Sequence, residues 1–420
     1  MKVTLINTSD AGGGAPAACM RLLKALVGQK TDAALLVQDK KTIDDNVQGI
    51  ATSFVTRLKA QINFLRERIP FILFHEKDKS VRFAFSPANS GTSIKNNFLV
   101  TGADILHLHW TNSGFLSITD LKELVDTGKP IVWTLHDMWA FTGGCHYSGI
   151  CDNFMRECGN CPFLRDADEN DISHIGWLRK AALFKDAKNI TFVTCSQWLA
   201  GVAKQSSLIK DFRIEAIPNP IDIDIFSPKD KAAAREKRGI DADAKIILFG
   251  AANINDKRKG ITYLVDALNI LKANYPQSEK IEIVIFGKNK HFDVTQLPFK
   301  VHELNLISSQ EELADVYSMA DLFITSSLED NLPNTVMEAL ACGTPVVAFN
   351  TGGIPEMVDH QQNGYLAQFK SAGDMAKGLQ EVLNGDAKLS GNARQKVLDN
   401  YTNEKVAQQY INLYQSIIKQ

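Results

Sequence analysis

The hydrophobic positions of this chain alternate between two periods. Short runs rich in β-branched residues, at 3–7, 105–109, 131–135 and 190–194, are interleaved with apolar positions at helical spacing, at 16–27, 118–126 and 197–203. That alternation predicts a parallel sheet with crossover helices. It restarts after residue 230, with strand patterns at 246–250, 281–286, 322–325 and 345–349 and helical patterns near 261–271 and 335–342. Two doubly wound α/β domains follow. Between the blocks, Ile217-Pro218-Asn219-Pro220-Ile221-Asp222 carries two prolines that continue neither a helix nor a central strand. The boundary is therefore expected there, with domains over 1–218 and 219–402. The last helical pattern, within 403–420, has no strand after it and is free to pack back onto the first domain. Ligands of open α/β sheets sit at the carboxyl ends of the strands, so two such sheets facing each other would share one crevice.

One segment breaks the rhythm. Residues 54–74 set Phe54, Leu58, Ile62, Leu65, Ile69, Phe71 and Phe74 against Arg57, Lys59, Arg66 and Arg68. A basic amphipathic helix can lie on a membrane surface. Apolar residues at helical spacing more often face a core, so an insertion helix packed on its own domain is the leading expectation and peripheral membrane contact the second.

Composition narrows the field without choosing a function. The 420 residues, 45% hydrophobic and 22% charged with a formal net charge of -2, suffice for two cores and give no overall attraction to nucleic acid. The N-terminal MKVTLINTSDAGGG lacks the long apolar stretch and cleavage site of a secretory signal, and no run reaches about 18 apolar residues. A cytoplasmic protein is expected, peripheral at most at the inner face of a membrane. Four of the seven cysteines, Cys145, Cys151, Cys158 and Cys161, crowd into one segment that ends in C-x-x-C. In a reducing compartment such a cluster reads as a metal site before disulfides, and four thiolates complete tetrahedral zinc with no open position. A structural zinc that staples this loop is expected, with reduced buried thiols and then a redox function as the alternatives. Cys19, Cys195 and Cys342 fall inside predicted elements and read as small core residues.

The chemistry concentrates in residues 326–348, which read strand end, loop, helix, glycine stop and strand. Pro333 suits a helix's first turn and Gly343 a helix's end. The free N–H groups at Asn334 and Thr335 would suit a diphosphate. Glu338, one to two turns in, offers a carboxylate to the vicinal hydroxyls of a ribose, while Glu329 and Asp330 reach outward from the loop before it. After the strand pattern at 246–250 comes Lys257-Arg258-Lys259-Gly260, a cationic turn that could balance the charge of a departing diphosphate. In the first block Gly12-Gly13-Gly14 follows the first strand, where backbone amides lie open to a ligand. His136-Asp137 ends the run 131–135, and His107 and His109 share one strand face, with His107 the better candidate for a core histidine satisfied by backbone groups.

These segments resemble the family-4 retaining glycosyltransferases of GT-B architecture, whose two Rossmann-like domains face each other across a cleft. The family's two acidic residues, separated by seven others, correspond to Asp330 and Glu338, with Asp in place of the usual first Glu and Glu329 beside it. The stretch 217–222 followed by Phe226-Ser227-Pro228 is similar to the interdomain motif, Lys259-Gly260 to the phosphate-binding turn, and 351–356 to the family's next loop. The arginine the family carries five residues before the lysine is Ile254 here, so Arg258 or Lys257 would supply that charge. The resemblance implies transfer of a sugar from a nucleoside-diphosphate donor to a hydroxyl with retained configuration and no divalent cation. It implies catalytic roles for His136, Lys259, Asp330 and Glu338, donor contacts from Gly13, Gly14, Arg258, Glu329, Asn334 and Thr335, and a saccharide or lipid-linked saccharide acceptor, as in bacterial polysaccharide or glycolipid assembly. Three other readings stay open at this level: a metal-dependent transferase using Asp222-Ile223-Asp224, a metal-dependent hydrolase using His107, His109 and His136, and a non-catalytic sugar-nucleotide binder.

Overall fold

The computed structural model describes residues 1–254, 256–289 and 292–419. It divides into two compact units, Met1–Pro220 with Glu404–Gln420, and Ile221–Asn403.

The first unit is a parallel sheet of seven strands: β1 (Lys2–Ser9), β2 (Asp32–Asp39), β3 (Val47–Gly49), β4 (Ile105–Leu108), β5 (Ile131–Leu135), β6 (Ile190–Thr194) and β7 (Arg213–Ala216), in the order β3-β2-β1-β4-β5-β6-β7. Every residue of β4, β5 and β6 is buried, because helices cover both sheet faces. Its helices are α1 (Gly14–Gly28), α2 (Phe54–Pro70), α3 (Phe98–Gly102), α4 (Ile118–Val125), α5 (Ile172–Phe184) and α6 (Gln197–Ala203). Alternate residues of each strand feed opposite cores: Leu5 and Leu35 pack with Leu22 and Leu26 of α1, whereas Ile6 and Leu36 belong with Leu121 of α4 and Leu199 of α6. The α1 face is completed by the end of the chain, where Val406, Tyr410 and Tyr414 join the same core.

Helix α2 overturns the expectation that its apolar positions face a core. Phe54 is 82% exposed, Val55 72%, Leu65 47% and Ile69 46%, while the residues it buries are Asn63, Glu67 and Arg68. Those polar side chains are hydrogen-bonded into the domain, although Arg68 Nε is buried without a partner among the described residues. Asn63 Nδ2 donates to the Gly91 carbonyl at 2.8 Å, Glu67 Oε2 accepts the Gly114 N–H at 2.9 Å, and Arg68 pairs with Glu67 at 2.7 Å while donating to the Arg82 and Phe85 carbonyls. A buried carboxylate and guanidinium paired in this way fix which face of the helix turns inward. Of the expected apolar set only Phe71, in the π-turn Phe71–His75 that continues α2, is buried; Phe74 is exposed.

The second unit holds six parallel strands: β8 (Lys245–Asn253), β9 (Ile281–Lys288), β10 (Lys300–Glu303), β11 (Leu322–Thr325), β12 (Val346–Phe349) and β13 (Gly364–Ala367), in the order β10-β9-β8-β11-β12-β13. Its helices are α7 (Lys231–Glu236), α8 (Ile261–Asn274), α9 (Gln310–Met319), α10 (Asn334–Ala341), α11 (Ile354–Met357), α12 (Ala372–Leu383) and α13 (Ala387–Asn400); α14 (Asn403–Ile418) then carries the chain into the first unit. Strand order reverses beside β8, whose neighbours are β9 on one side and β11 on the other. Ligands of open α/β sheets bind at such a switch point, at the carboxyl ends of the strands.

Candidate active site

The switch point of the second unit is built from the loops that leave β8 and β11. Gly260 ends the first of them in the left-handed region at φ 60°, and a Cβ there would stand 2.2 Å from the Ser326 carbonyl oxygen, so only glycine lets the loops meet. Hydrogen bonds then lace them together. Leu328 N–H donates to the Arg258 carbonyl at 2.7 Å, and Ser326 Oγ to the Lys259 carbonyl at 2.7 Å. Held in this frame, Lys259 Nζ lies 2.6 Å from Asp330 Oδ2 and 3.5 Å from Ser327 Oγ. From the other side Gly352, at φ 58°, brings the next loop so close that a Cβ would stand 1.9 Å from the Asp330 carbonyl, and Gly353 N–H donates to that carbonyl at 3.1 Å.

The remaining residues singled out in this unit surround that ion pair in sequence. Asn334 and Thr335 open α10 directly after Pro333 and are half-buried, as is Glu329. Glu338, one turn further, is buried and accepts the Tyr317 hydroxyl at 2.9 Å. Arg258 Nη2 donates to Asp256 Oδ2 at 2.7 Å, and Asp256 also caps the turn by accepting the Arg258 N–H. Ile254, at the position where the family carries arginine, is fully buried among Ile247, Phe249 and Leu264, so the substitution has become part of the core.

The first unit has its own switch point, between β1 and β4. After β1 the backbone turns through Gly12 and Gly13, both at positive φ, and α1 begins at Gly14. His136 follows β5, 3.0 Å from His109 Nδ1 through its Nε2 and 3.6 Å from the Cys195 sulphur through its Nδ1. Behind them His107 is hydrogen-bonded to the Tyr414 and Thr134 hydroxyls, each at 2.7 Å. Desolvation holds His136 down to about 4, His107 to about 3 and His109 well below the usual histidine range, so all three rings are neutral near pH 7. Both ring nitrogens of His107 and of His136 have protein partners, which disfavours the hydrolase reading of this cluster. Asp222 likewise accepts the Asp224 and Ile225 N–H groups and serves the turn it opens.

Two features escaped the sequence reading. Tyr317, on α9, supplies the hydroxyl that holds Glu338, and no motif marks it. Asp137 gathers Trp110 Nε1, His146 Nδ1 and the Trp139 N–H, at 3.1, 2.7 and 2.8 Å. Burial opposes ionisation of its carboxyl, but the His146 contact and the Trp139 N–H outweigh it and hold the group below the usual carboxylate range. The His-Asp pair at the end of β5 was legible, but its link to His146 depends on a loop that comes back in space.

Comparison with known proteins agrees with the two-unit α/β fold. Residues 12–225 match the model of Glycosyltransferase Family 4, and residues 230–400 that of Glycosyl transferases group 1. N-acetyl-alpha-D-glucosaminyl L-malate synthase of Bacillus anthracis is 25% identical over 381 residues, covering 86% of this chain and 90% of that protein. Among solved structures, sucrose-phosphate synthase from Thermosynechococcus elongatus superposes with a TM-score of 0.68 at 18% identity, covering 100% of this chain and 99% of the other. HepE of Anabaena, solved in complex with UDP-glucose, gives a TM-score of 0.63 at 15% identity over 99% and 100% of the two chains. At these identities the structural likeness speaks for the GT-B fold.

Proposed function

The chain belongs to glycosyltransferase family 4, and from that premise we propose that it moves a sugar from a nucleoside-diphosphate sugar to a hydroxyl of a saccharide or lipid-linked saccharide, with retention of configuration. The observation that carries the donor side is the Lys259–Asp330 pair at the second unit's switch point, beside the N-terminus of α10. Lys259 and the amides at Asn334 and Thr335 are the groups that would balance a diphosphate, with Arg258 as a second cation. Glu338, steadied by Tyr317, offers its carboxylate to ribose hydroxyls. Glu329 and Asp330 stand where the sugar would hang from the diphosphate. In this reading the fixed cations do the work of a divalent ion, so catalysis requires none. The complex of HepE with UDP-glucose supports a uridine diphosphate donor. On the first unit the candidates are Gly13 and Gly14 after β1 and His136 after β5, whose neutral ring would have to exchange its His109 or Cys195 contact for a sugar hydroxyl. Retention rests on family membership.

The test is nucleotide release from a panel of sugar nucleotides with a saccharide acceptor extract. Release with one donor, abolished by Lys259→Ala, supports the reading. Tight nucleotide binding with no turnover on any donor would favour the non-catalytic binder.

The inverted helix α2 favours a second element of the same reading, action at the cytoplasmic face of a membrane. Phe54, Leu58, Ile62 and Leu65 project outward with Arg57, Lys59 and Arg66, all exposed. Apolar side chains of this kind insert at the headgroup boundary while the cations meet anionic lipid. No helix among the described residues is long and apolar enough to cross a membrane. Co-sedimentation with vesicles containing anionic phospholipid tests the contact.

A further inference from the structure

Between β5 and α5 the chain runs from residue 136 to residue 171 with only two short 3-10 turns, Trp139–Phe141 and Asn153–Met155. A segment of that length without regular structure needs something else to hold it. At its centre Cys145, Cys151, Cys158 and Cys161 line one pocket together with Phe85, and each sulphur lies near enough to the other three to feel its charge. None is in a disulfide.

We infer that these four cysteines bind one zinc ion as a tetrathiolate, a structural site that pins the loop supporting His136 and Asp137.

Three observations point to the ion. Two of the sulphurs receive the backbone N–H groups that commonly orient a ligating side chain: the Gly143 N–H donates to Cys158 Sγ at 3.1 Å, and the Phe163 N–H reaches Cys161 Sγ in the i+2 relation. Asn160 sits in the left-handed region at φ 48°, within the short loop whose Cys158 and Cys161 both line the pocket. Lys180, buried, brings its ammonium beside Cys145 and Cys158 while donating to the Thr142 carbonyl at 2.9 Å. Four thiolates around a divalent ion leave net negative charge, and Lys180 is the internal cation that offsets it. Among the described residues no three ligand-type side chains already close on a point where an ion would sit, so coordination draws the four sulphurs inward across the pocket they share. The loop then has a reason to be rigid. Cys145 is followed by His146, whose carbonyl accepts the Met138 N–H at 2.9 Å and whose ring holds Asp137, so an ion on Cys145 fixes the residues next to His136.

The test is elemental analysis of protein purified without chelator, in which about one zinc per chain is expected. Titrating the native protein with an organomercurial should release that zinc as four thiols react, read with a metal-sensitive dye, and this keeps the test informative if variants fail to fold. Cys151→Ser and Cys158→Ser should each lower the zinc content, whereas Cys342→Ser should leave it unchanged. Cobalt substitution should give the absorption of a tetrahedral thiolate complex. Trace metal only after growth and purification with added zinc, or recovery of the four residues as disulfides in a non-reducing peptide map, would overturn the site.

Discussion

Lys259 and Asp330 meet at 2.6 Å, joined across two loops that leave adjacent strands and are laced together at Gly260 and Ser326. Both side chains are largely shielded, at 20% and 13% exposure, so the pair needs no more than an exchange of partner to receive an anionic ligand. Lys259→Ala should lower kcat by about 10²–10³-fold, the scale for losing one donor to developing charge, and nucleotide affinity by less. Steady-state kinetics beside calorimetry separate the two. Weaker nucleotide binding with kcat unchanged would mean that Lys259 serves the ground state and the transition state alike.

Glu338→Ala should weaken nucleotide binding by about 1.5–3 kcal/mol, the range for hydrogen bonds to a charged group. Tyr317→Phe removes only the hydroxyl that steadies the carboxylate and should cost about 1 kcal/mol. Calorimetry with UDP reads both, and unchanged affinity in Glu338→Ala would remove the ribose role.

Gly352→Ala should disturb the site from a distance. The new methyl would stand 1.9 Å from the Asp330 carbonyl on a backbone already at φ 58°. A destabilisation of about 1–3 kcal/mol is expected from the conformation alone, together with a loss of activity as Asp330 shifts. Thermal unfolding and turnover should fall together.

Acid should unfold the first unit through its histidines. His107 at about 3 and His136 at about 4 lie below the unfolded value of 6.5, so the unfolded chain takes up these protons first. Stability is complete above about pH 6.5 and declines as pH falls toward the folded values, by about 1.4 kcal/mol per pH unit for each proton. Urea midpoints across that range measure the slope. His107→Gln should reduce it by about one proton, and an unchanged slope would place the uptake elsewhere.

Turnover should continue in EDTA, since in the proposed mechanism Lys259, Arg258 and the α10 amides carry the charge on the diphosphate. Immediate loss of activity, restored by magnesium or manganese, would count against those fixed cations. For the membrane element, Leu58→Glu with Leu65→Glu should abolish vesicle co-sedimentation while leaving transfer to a soluble acceptor intact.

The two sheets were legible because parallel strands covered on both faces write long apolar runs, and the loop before α10 because its residues are consecutive. Orientation was not. Helix α2 shows a regular apolar stripe, and nothing in its periodicity says that Asn63, Glu67 and Arg68 are the face turned inward; that follows from partners at Gly91, Gly114 and Phe85. The hold of Tyr317 on Glu338 and of His146 on Asp137 was hidden for the same reason, since both are made across the fold. Ile254 shows the converse: its departure from the family pattern was visible, but only its burial reveals that it belongs to the core.

The hydrogen bond from His107 to Tyr414 spans 307 positions of sequence. During synthesis the residues of β1 to β7 emerge first, and the whole of 221–403 follows before α14 exists. Until then His107 and Thr134 lack the Tyr414 and Tyr410 hydroxyls, and the apolar face around Leu5, Leu22 and Val193 is open. The second unit draws on contiguous chain and can close as it leaves the ribosome, whereas the first has to wait. The unit made first is thus the last to mature, and while it waits its uncovered face is the surface of the nascent chain most in need of a chaperone.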